Sequence, residues 1–446
     1  MALLDSSPSR SFKIVRSRVS FSFSFWRQRK ISFPPFHHNF SMMKRKEPSN
    51  NPTHGRRRKL RLLIHAVDGC VPYLTPSTLE KYFPPELDDF WIGLAVRDTC
   101  VVPLFGDKTK TKKVTKKASN TQNKKPRGYT FASVNPDSWL MPYTRITVPS
   151  FDLINDDKRG IHSSTNNSVS VWTPHGRQKL TKELYSEATK GLKSHYTLSL
   201  YDIVAGDQEN KKRKLKAEAR NKEWFEDLFQ TFSRDQREST LWSPILLPSE
   251  KDSLPDVKMA NERANGLALV GKWRKEFETC FDHVTGKNVA ILSTRTLPEM
   301  LEIISGGTVN IVGTDLPTRW AKQKCGLAIN INVKGESKRA KLDENDNIIM
   351  LNSDGCIDFH SKDLARDSRP IMEGCSCMTC ADNKFSRSYI HHLVVAQELV
   401  AEILLFAHNL HQLLTLFRSF SSSDDTERLK EFILTQLPSN TKKNNT

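Results

Sequence analysis

Cysteine is scarce, at eight in 446 residues, so a small disulfide-built scaffold is excluded and the fold must rest on a hydrophobic core. Long apolar runs are also missing. No stretch reaches the roughly 18 uncharged apolar residues a membrane span needs. The nearest approach, Leu393 to Phe417, contains Glu398, Glu402, His408 and His411 and reads as a buried or docking helix. Glycine and proline, at 19 and 22, are too dilute for a collagen-like or low-complexity chain. Acids are sparse in two strongly basic segments. Residues 1–60 hold 14 Lys/Arg against Asp5 and Glu47, and residues 108–127 hold nine Lys/Arg and no acid. Together these blocks carry +21, so the rest of the chain carries about −3 of the net +18. The basic charge therefore sits outside the expected core, and it permits direct nucleic-acid contact without requiring it.

With 37% hydrophobic and 26% charged residues, the chain can bury one large α/β barrel with decoration, or two to three ordinary domains. Residues 1–54 are rich in Arg, Ser and Phe and end in a polar run. That composition suits a mitochondrial or plastid transit peptide; a disordered extension, or a start at Met42 or Met43, are the alternatives. Arg and Ser interrupt the phenylalanines, so no signal-peptide apolar region forms. The Lys-rich stretch Lys108–Arg127 offers only Val114 and Ala118 to anchor it and is expected to lie outside the core as an insert loop.

Between these blocks, short apolar strands alternate with helical stretches. Leu60–Val67 reads as the first strand, and Thr75-Pro76-Ser77 opens a helix, with Pro76 where its missing N–H is harmless. Further strands are expected at Val101–Phe105, Tyr129–Ala132, Ile146–Val148, Ser168–Trp172, Tyr196–Tyr201, Gly266–Val270, Val289–Leu292, Val309–Val312 and Leu327–Val333. Helices are expected at Lys182–Leu192 behind an N-cap-like Thr181, at Asn210–Thr231, at Trp273–Phe281 and at Thr296–Ile304. This order argues for a mostly parallel α/β fold. Glu336–Asp354 is polar and reads as a loop.

The sharpest chemical signal is Gly-Cys-Ser-Cys-Met-Thr-Cys, which spaces Cys375, Cys377 and Cys380 as C-x-C-x2-C. Thiolates this close repel one another unless a cation compensates, as Zn²⁺ or an iron–sulfur cluster does; a redox disulfide is the alternative. A fourth ligand would come from Cys356 or from His360, His391, His392, His408 or His411. His408 follows Val400 and Leu404 at helical spacing and so shares the buried stripe. For it to reach the cysteines, the helix that begins near Arg387 must bend after His391–His392, and no Pro or Gly marks the bend.

The segment Gly374 to Leu414, GCSCMTC…FSRSYIHHLVVAQELVAEILLFAHNLHQLL, resembles the C-terminal zinc region of the tRNA-guanine transglycosylase superfamily. Thr173-Pro-His-Gly-Arg with Thr181, Gly266–Gly271 and the stretch ending in Pro-Thr-Arg at Arg319 extend the likeness from about Arg58 to Phe420. The opening RLLIHAVDGCVPYLTPSTLEKYF and the phrase NSVSVWTPHGR are closer to non-catalytic accessory members than to catalytic ones. The resemblance implies a TIM-like (β/α)8 barrel with a C-terminal zinc-binding subdomain, and exchange of an encoded guanine in tRNA for a modified base. It implies one Zn²⁺ per subunit on Cys375, Cys377, Cys380 and His408, with Ala381–Lys384 making the hairpin two residues longer than the family pattern. The expected division is an extension at 1–54, a barrel at 55–370, a zinc-binding helical subdomain at 371–420 and a flexible tail at 421–446.

The catalytic positions of the resemblance are not kept. Active members place a nucleophilic aspartate six residues before the Arg of the Pro-Thr-Arg motif, to hold ribose C1′ covalently; here that position is Gly313. The glycine-flanked general-base aspartate near the first strand is missing too, with Asp98 the closest acid. Of the base-binding positions, a Gly-Gly pair survives only as Val270-Gly271. Asp202 falls where the family has a base-recognising aspartate, although capping of the following turn explains it as well. Asp315 is the acid nearest the lost nucleophile. No catalytic residue is therefore expected. The reading is a catalytically silent accessory subunit that pairs with the catalytic subunit of queuine tRNA-ribosyltransferase and meets tRNA through the complex. The alternative is a divergent active transglycosylase using Asp315 and Asp202. A cytoplasmic location is expected, with the N-terminal 46 residues as the organellar-targeting alternative.

Overall fold

The computed structural model describes residues 59–67, 71–83, 90–96, 144–149, 164–173, 176–192, 194–202, 211–233, 241–246, 264–270, 287–331, 351–423 and 425–438. All belong to one compact unit, 51–446. The strands expected at Val101–Phe105 and Tyr129–Ala132, the helix at Trp273–Phe281, the Lys108–Arg127 insert and Gly271 lie outside them.

In chain order the elements begin with β1 (Arg61–His65), α1 (Pro76–Tyr82), β2 (Phe90–Ala95) and β3 (Thr144–Val148). A hairpin of β4 (Ser168–Thr173) and β5 (Gly176–Thr181) follows, then α2 (Lys182–Leu192), β6 (Tyr196–Leu198) and α3 (Lys211–Thr231). The body continues with β7 (Leu241–Leu246), β8 (Gly266–Val270), β9 (Asn288–Thr294), α4 (Leu297–Ser305), β10 (Ile311–Thr314) and α5 (Leu316–Lys322). The C-terminal part comprises β11 (Cys325–Leu327), β12 (Cys356–Asp358), α6 (Arg387–Val395), α7 (Leu399–Ser422) and α8 (Thr426–Leu434).

The main sheet is parallel and TIM-barrel-like. Its strand order is β1-β10-β9-β8-β7-β6-β3-β2, and β1 pairs with both β10 and β2. Side chains alternate between two buried faces. Leu63, Trp91, Ile146, Leu198, Ala290 and Ile311 form an inner cluster, while Leu62, Ile92, Leu269, Ile291 and Val312 face the helices outside. Burial on both faces is why these strands read as continuous apolar runs. The helix starts obey simple capping: Thr75 accepts from Thr78 N at 3.3 Å and Thr296 from Glu299 N at 3.3 Å.

Two expectations fail. The strand expected at Leu327–Val333 is the short β11, which pairs antiparallel with β12 outside the main sheet. Asn409 of α7 holds it there, its Oδ1 accepting from Leu327 N at 2.8 Å and its Nδ2 donating to Cys325 O at 3.0 Å. The tail placed at 421–446 is not flexible throughout, because residues 426–434 form α8. Asp425 caps it by accepting from Arg428 N at 2.9 Å, and Leu429 and Ile433 are buried one turn apart. Lys430 pairs with Glu302 of α4 at 3.3 Å, so α8 is docked.

The bend before His408 is present. α6 ends at Val395 and α7 begins at Leu399 with three residues between them, among them Gln397 at φ 59°. Gln397 N donates to Val394 O at 3.1 Å and Glu398 N to Leu393 O at 2.9 Å, the paired bonds of a Schellman C-cap whose left-handed residue is usually glycine. α7 is long and apolar enough to cross a membrane by composition, but 67% of its most apolar window is buried in the protein. It serves as a core helix.

Candidate metal centre and barrel mouth

Gly374, at φ 72°, turns the chain into the cysteine loop, and the sulfurs of Cys375, Cys377 and Cys380 meet His408 from α7. The four ligand atoms lie within 4.8 Å of one another and all four residues are buried. His408 Nδ1 is 3.8, 3.5 and 3.3 Å from the sulfurs of Cys375, Cys377 and Cys380. A tetrahedron with zinc–sulfur bonds of about 2.3 Å and a zinc–nitrogen bond of about 2.0 Å has N···S edges of about 3.6 Å. The donor set and its edges therefore fit a tetrahedral metal ion.

The surroundings select the imidazole's geometry. His408 Nε2–H donates to the Leu327 carbonyl at 2.7 Å, which leaves Nδ1 with its lone pair toward the sulfurs. Gln412, one turn on, donates to Cys375 Sγ at 3.0 Å, and Cys380 N donates to Cys377 Sγ at 3.3 Å. Burial alone would pull the His408 imidazole down, yet the sulfurs of Cys375 and Cys380 beside Nδ1 hold it up to about 10. Hydrogen bonds from its sulfur neighbours push Cys375 well down, whereas the same contacts and burial push Cys377 well up. A bound cation would displace the protons these groups hold, leaving three sulfurs and the Nδ1 lone pair to face it.

The surplus hairpin residues are absorbed locally. Ala381–Asn383 form a 3-10 turn in which Asp382 and Asn383 take φ of 57° and 51°, a conformation their short polar side chains tolerate. The Ser-Arg step that follows is structural: Ser386 caps α6, and Arg387 pairs with Asp367 at 3.0 Å and donates to Ile371 O at 2.9 Å. Sequence reasoning missed Gln412, Asn409 and Thr379, which donates to Leu404 O at 2.7 Å. Helical spacing from His408 was the available signal for Gln412. The other imidazoles diverge: His391 Nδ1 bonds to Phe359 O at 2.9 Å, and His411 lies 3.8 Å from Cys375 Sγ but 3.4 Å from Ser376 Oγ. Cys356 is buried in β12 and is not among the clustered ligands.

At the C-terminal ends of the barrel strands, Gly313 points inward in line with Ile311. β9 bulges against it, since Val312 pairs with Ile291 but Thr314 with Thr294. A Cβ at Gly313 would lie 2.2 Å from the Leu292 carbonyl oxygen and 2.7 Å from its carbon. Buried His65 of β1 reaches across to the same carbonyl and donates from Nε2 at 2.6 Å; burial lowers its pKa, so it is a neutral donor. Position 313 thus has no carboxylate and no room for one. Asp315 sits at the start of α5 and pairs with Arg319 at 3.0 Å.

Asp202 is buried at the end of the β6 segment, and its carboxylate is fully engaged. Oδ1 accepts from Ser164 Oγ and Arg213 Nη2, both at 2.7 Å, while Oδ2 accepts from Arg213 Nη1 at 2.5 Å and Arg220 Nη1 at 2.9 Å. Burial alone would raise its pKa, but the hydrogen bonds from Arg213, Ser164 and Arg220 hold it below the usual carboxylate range. The structure therefore joins Asp202 to α3, with Asp315 held by its own helix.

The sequence profile described as queuine tRNA-ribosyltransferase matches residues 150–440, which include the barrel's later strands and the whole metal centre. The chain belongs to the queuine tRNA-ribosyltransferase family. Within that family it is similar to queuine tRNA-ribosyltransferase accessory subunit 2 of Schizosaccharomyces pombe, at 25% identity over 388 residues, covering 83% of this chain and 77% of that one. The accessory subunit 2 of Trichoplax adhaerens is 24% identical over 276 residues, or 60% of this chain and 68% of its own. The human accessory subunit 2 is 25% identical over 307 residues, or 60% and 73%.

Proposed function

We infer that this chain is the non-catalytic accessory subunit of a heterodimeric queuine tRNA-ribosyltransferase, supporting exchange of guanine for queuine at the tRNA wobble position. The observation that carries the reading is Gly313, where the family's nucleophile is replaced by a residue pressed against the Leu292 carbonyl. A covalent ribosyl intermediate needs a carboxylate there. The similarity to accessory subunits supplies the partner, a catalytic subunit, and the substrate, tRNA.

The architecture that goes with this reading is a full (β/α)8 barrel at 55–370 joined to a helical subdomain at 371–420. One Zn²⁺ per subunit, held by Cys375, Cys377, Cys380 and His408, would staple α7 to the cysteine loop and fix the turn between α6 and α7. The metal's part is structural, since the buried donors leave no open position for substrate. Cytoplasm is the proposed location; a fluorescent reporter fused to residues 1–46 tests organellar targeting by that segment.

The turn between α6 and α7 also supports a partner. Val395, Leu399 and Val400 are 65%, 61% and 42% exposed within six residues of chain, an apolar cluster that suits a protein interface. Copurification with the catalytic subunit tests the reading. A stable pair is expected, loosened by Val395→Glu with Leu399→Glu, and absence of any pair at micromolar concentrations would overturn it.

A further inference from the structure

The body of this protein is nearly neutral, yet one described helix is strongly basic. Over residues 211–222, α3 carries seven Lys/Arg and one acid, Glu218. Arg213 and Arg220 turn inward to Asp202, with ion pairs of 2.5 and 2.9 Å, and Asn221 accepts from Asp202 N at 2.6 Å. With Ala217, Trp224 and Phe225 buried on the same side, these contacts fix the helix's rotation. Lys212, Lys216 and Lys222 then face solvent.

A second cationic element leaves the sheet from the same end. β3 and β6 are parallel neighbours; the β4–β5 ribbon follows β3 and α3 follows β6, so the ribbon and the start of α3 are both reached from the C-terminal strand ends. Asn166 joins them, its Oδ1 accepting from Arg220 Nε at 3.2 Å and its carbonyl from Trp224 Nε1 at 2.6 Å. One face of the ribbon buries Val169, Val171 and Leu180. Cross-strand pairing of Trp172 with Arg177 and of Ser170 with Lys179 puts Trp172, Arg177 and Lys179 on the other face, all exposed.

We propose that Lys212, Lys216 and Lys222 of α3, with Trp172, Arg177 and Lys179 of the ribbon, form an RNA-docking surface that grips phosphates and stacks an unpaired base. Asp202 is its positioning residue. The chemistry chooses RNA over an acidic protein, because an exposed indole beside lysines and an arginine suits base stacking next to a phosphate backbone. Lys212 and Lys216, four residues apart, are separated by about 6 Å along the helix axis, so they can contact successive stretches of one backbone. The position where related enzymes have a base-recognising aspartate is here turned to holding a backbone-binding helix. The proposal rests on the accessory-subunit reading above, which supplies tRNA as the RNA.

The test uses the full chain, alone and paired with the catalytic subunit, and an unmodified tRNA transcript with guanine at the wobble position. Binding is measured as a function of salt. Lys212→Glu/Lys216→Glu/Lys222→Glu should weaken binding about tenfold or more at 0.1 M salt and reduce the slope of log affinity against log salt by about two. Trp172→Ala should weaken binding about tenfold with the slope unchanged, because stacking releases no counterions. If the triple variant melts early, Lys→Gln at the same three positions gives the same directions with smaller size. A triple variant with wild-type affinity and slope overturns the proposal, as does a wild-type chain with no affinity for the transcript. Loss of pairing with unchanged RNA slope also overturns it and makes the surface a protein interface. Failure of the wild-type chain to pair at all defeats the accessory-subunit reading instead, and the RNA measurement on the isolated chain still decides the surface.

Discussion

Replacing Gly313 with Ala is the most discriminating single change to the barrel mouth. The added methyl carbon would meet the Leu292 carbonyl oxygen at 2.2 Å, its carbon at 2.7 Å and its Cα at 3.1 Å. The first distance is more than about 1 Å short of ordinary contact, and the crowding atoms are backbone, so no rotamer change relieves it. β9 must move away from β10. That movement strains the bond from His65 to Leu292 O and the 3.2 Å bond from Thr294 Oγ1 to Gly313 O. Overpacking costs about 1–3 kcal/mol when side chains can shift, so a backbone clash belongs at or above the upper end, about 3 kcal/mol. At about 2–4 °C per kcal/mol for a large domain, the melting temperature should fall by at least about 6 °C. Urea titration should show a lower midpoint with an unchanged slope. Gly313→Asp should destabilise further and still give no covalent adduct with a guanine-containing anticodon stem–loop. A Gly313→Ala chain within about 0.5 kcal/mol of wild type, or an adduct with Gly313→Asp, would refute the reasoning.

Zinc content of one per chain by elemental analysis is expected, and Cys377→Ser should lose most of it and expose the segment after Pro370 to protease; full zinc in His408→Ala would remove His408 from the ligand set. Gln397→Gly should stabilise the chain by about 0.5–1 kcal/mol in urea melts, because glycine relieves the left-handed backbone that Gln397 adopts at φ 59°. Burial alone would raise the Asp367 carboxyl, but the guanidinium groups of Arg369 and Arg387 outweigh it and hold it at about 2, below the roughly 3.9 of an unfolded chain. Its contribution is therefore complete above about pH 4 and lost as pH falls through about 2, so the stability gap between wild type and Asp367→Asn should close over that window.

Local physics made much of the fold legible. Gly266–Val270 forms a strand at the bounds its apolar run suggests, Thr75 caps the helix its Thr-Pro-Ser start suggests, and Thr296 caps the helix expected at Thr296–Ile304. The cysteine trio was equally readable, because C-x-C-x2-C spacing lets three thiols face one cation, whereas the choice of His408 as the fourth donor came from the family resemblance. Features fixed by distant partners were hidden. β11 is short because Asn409, 82 residues further on, caps it, and α8 is ordered because Leu429 and Ile433 meet a core formed earlier in the chain. The bend at Gln397 carries no glycine, so only the need to return His408 to the cysteines implied it. Asp202 stands at the expected strand end, but its arginines come from α3, and periodicity alone does not reveal that they point inward. His65 looked like one more residue in an apolar strand until β1, β10 and β9 were placed side by side.

The central claim is that this chain contributes to base exchange without performing it. Incorporation of labelled guanine into unmodified tRNA, measured for the chain alone, for the catalytic subunit alone and for the copurified pair, tests it directly. The account predicts exchange by the pair, none by this chain alone, and unchanged exchange by the pair when Asp315 is replaced with Asn. Exchange by the isolated chain that disappears with Asp315→Asn would contradict it and establish a divergent active transglycosylase.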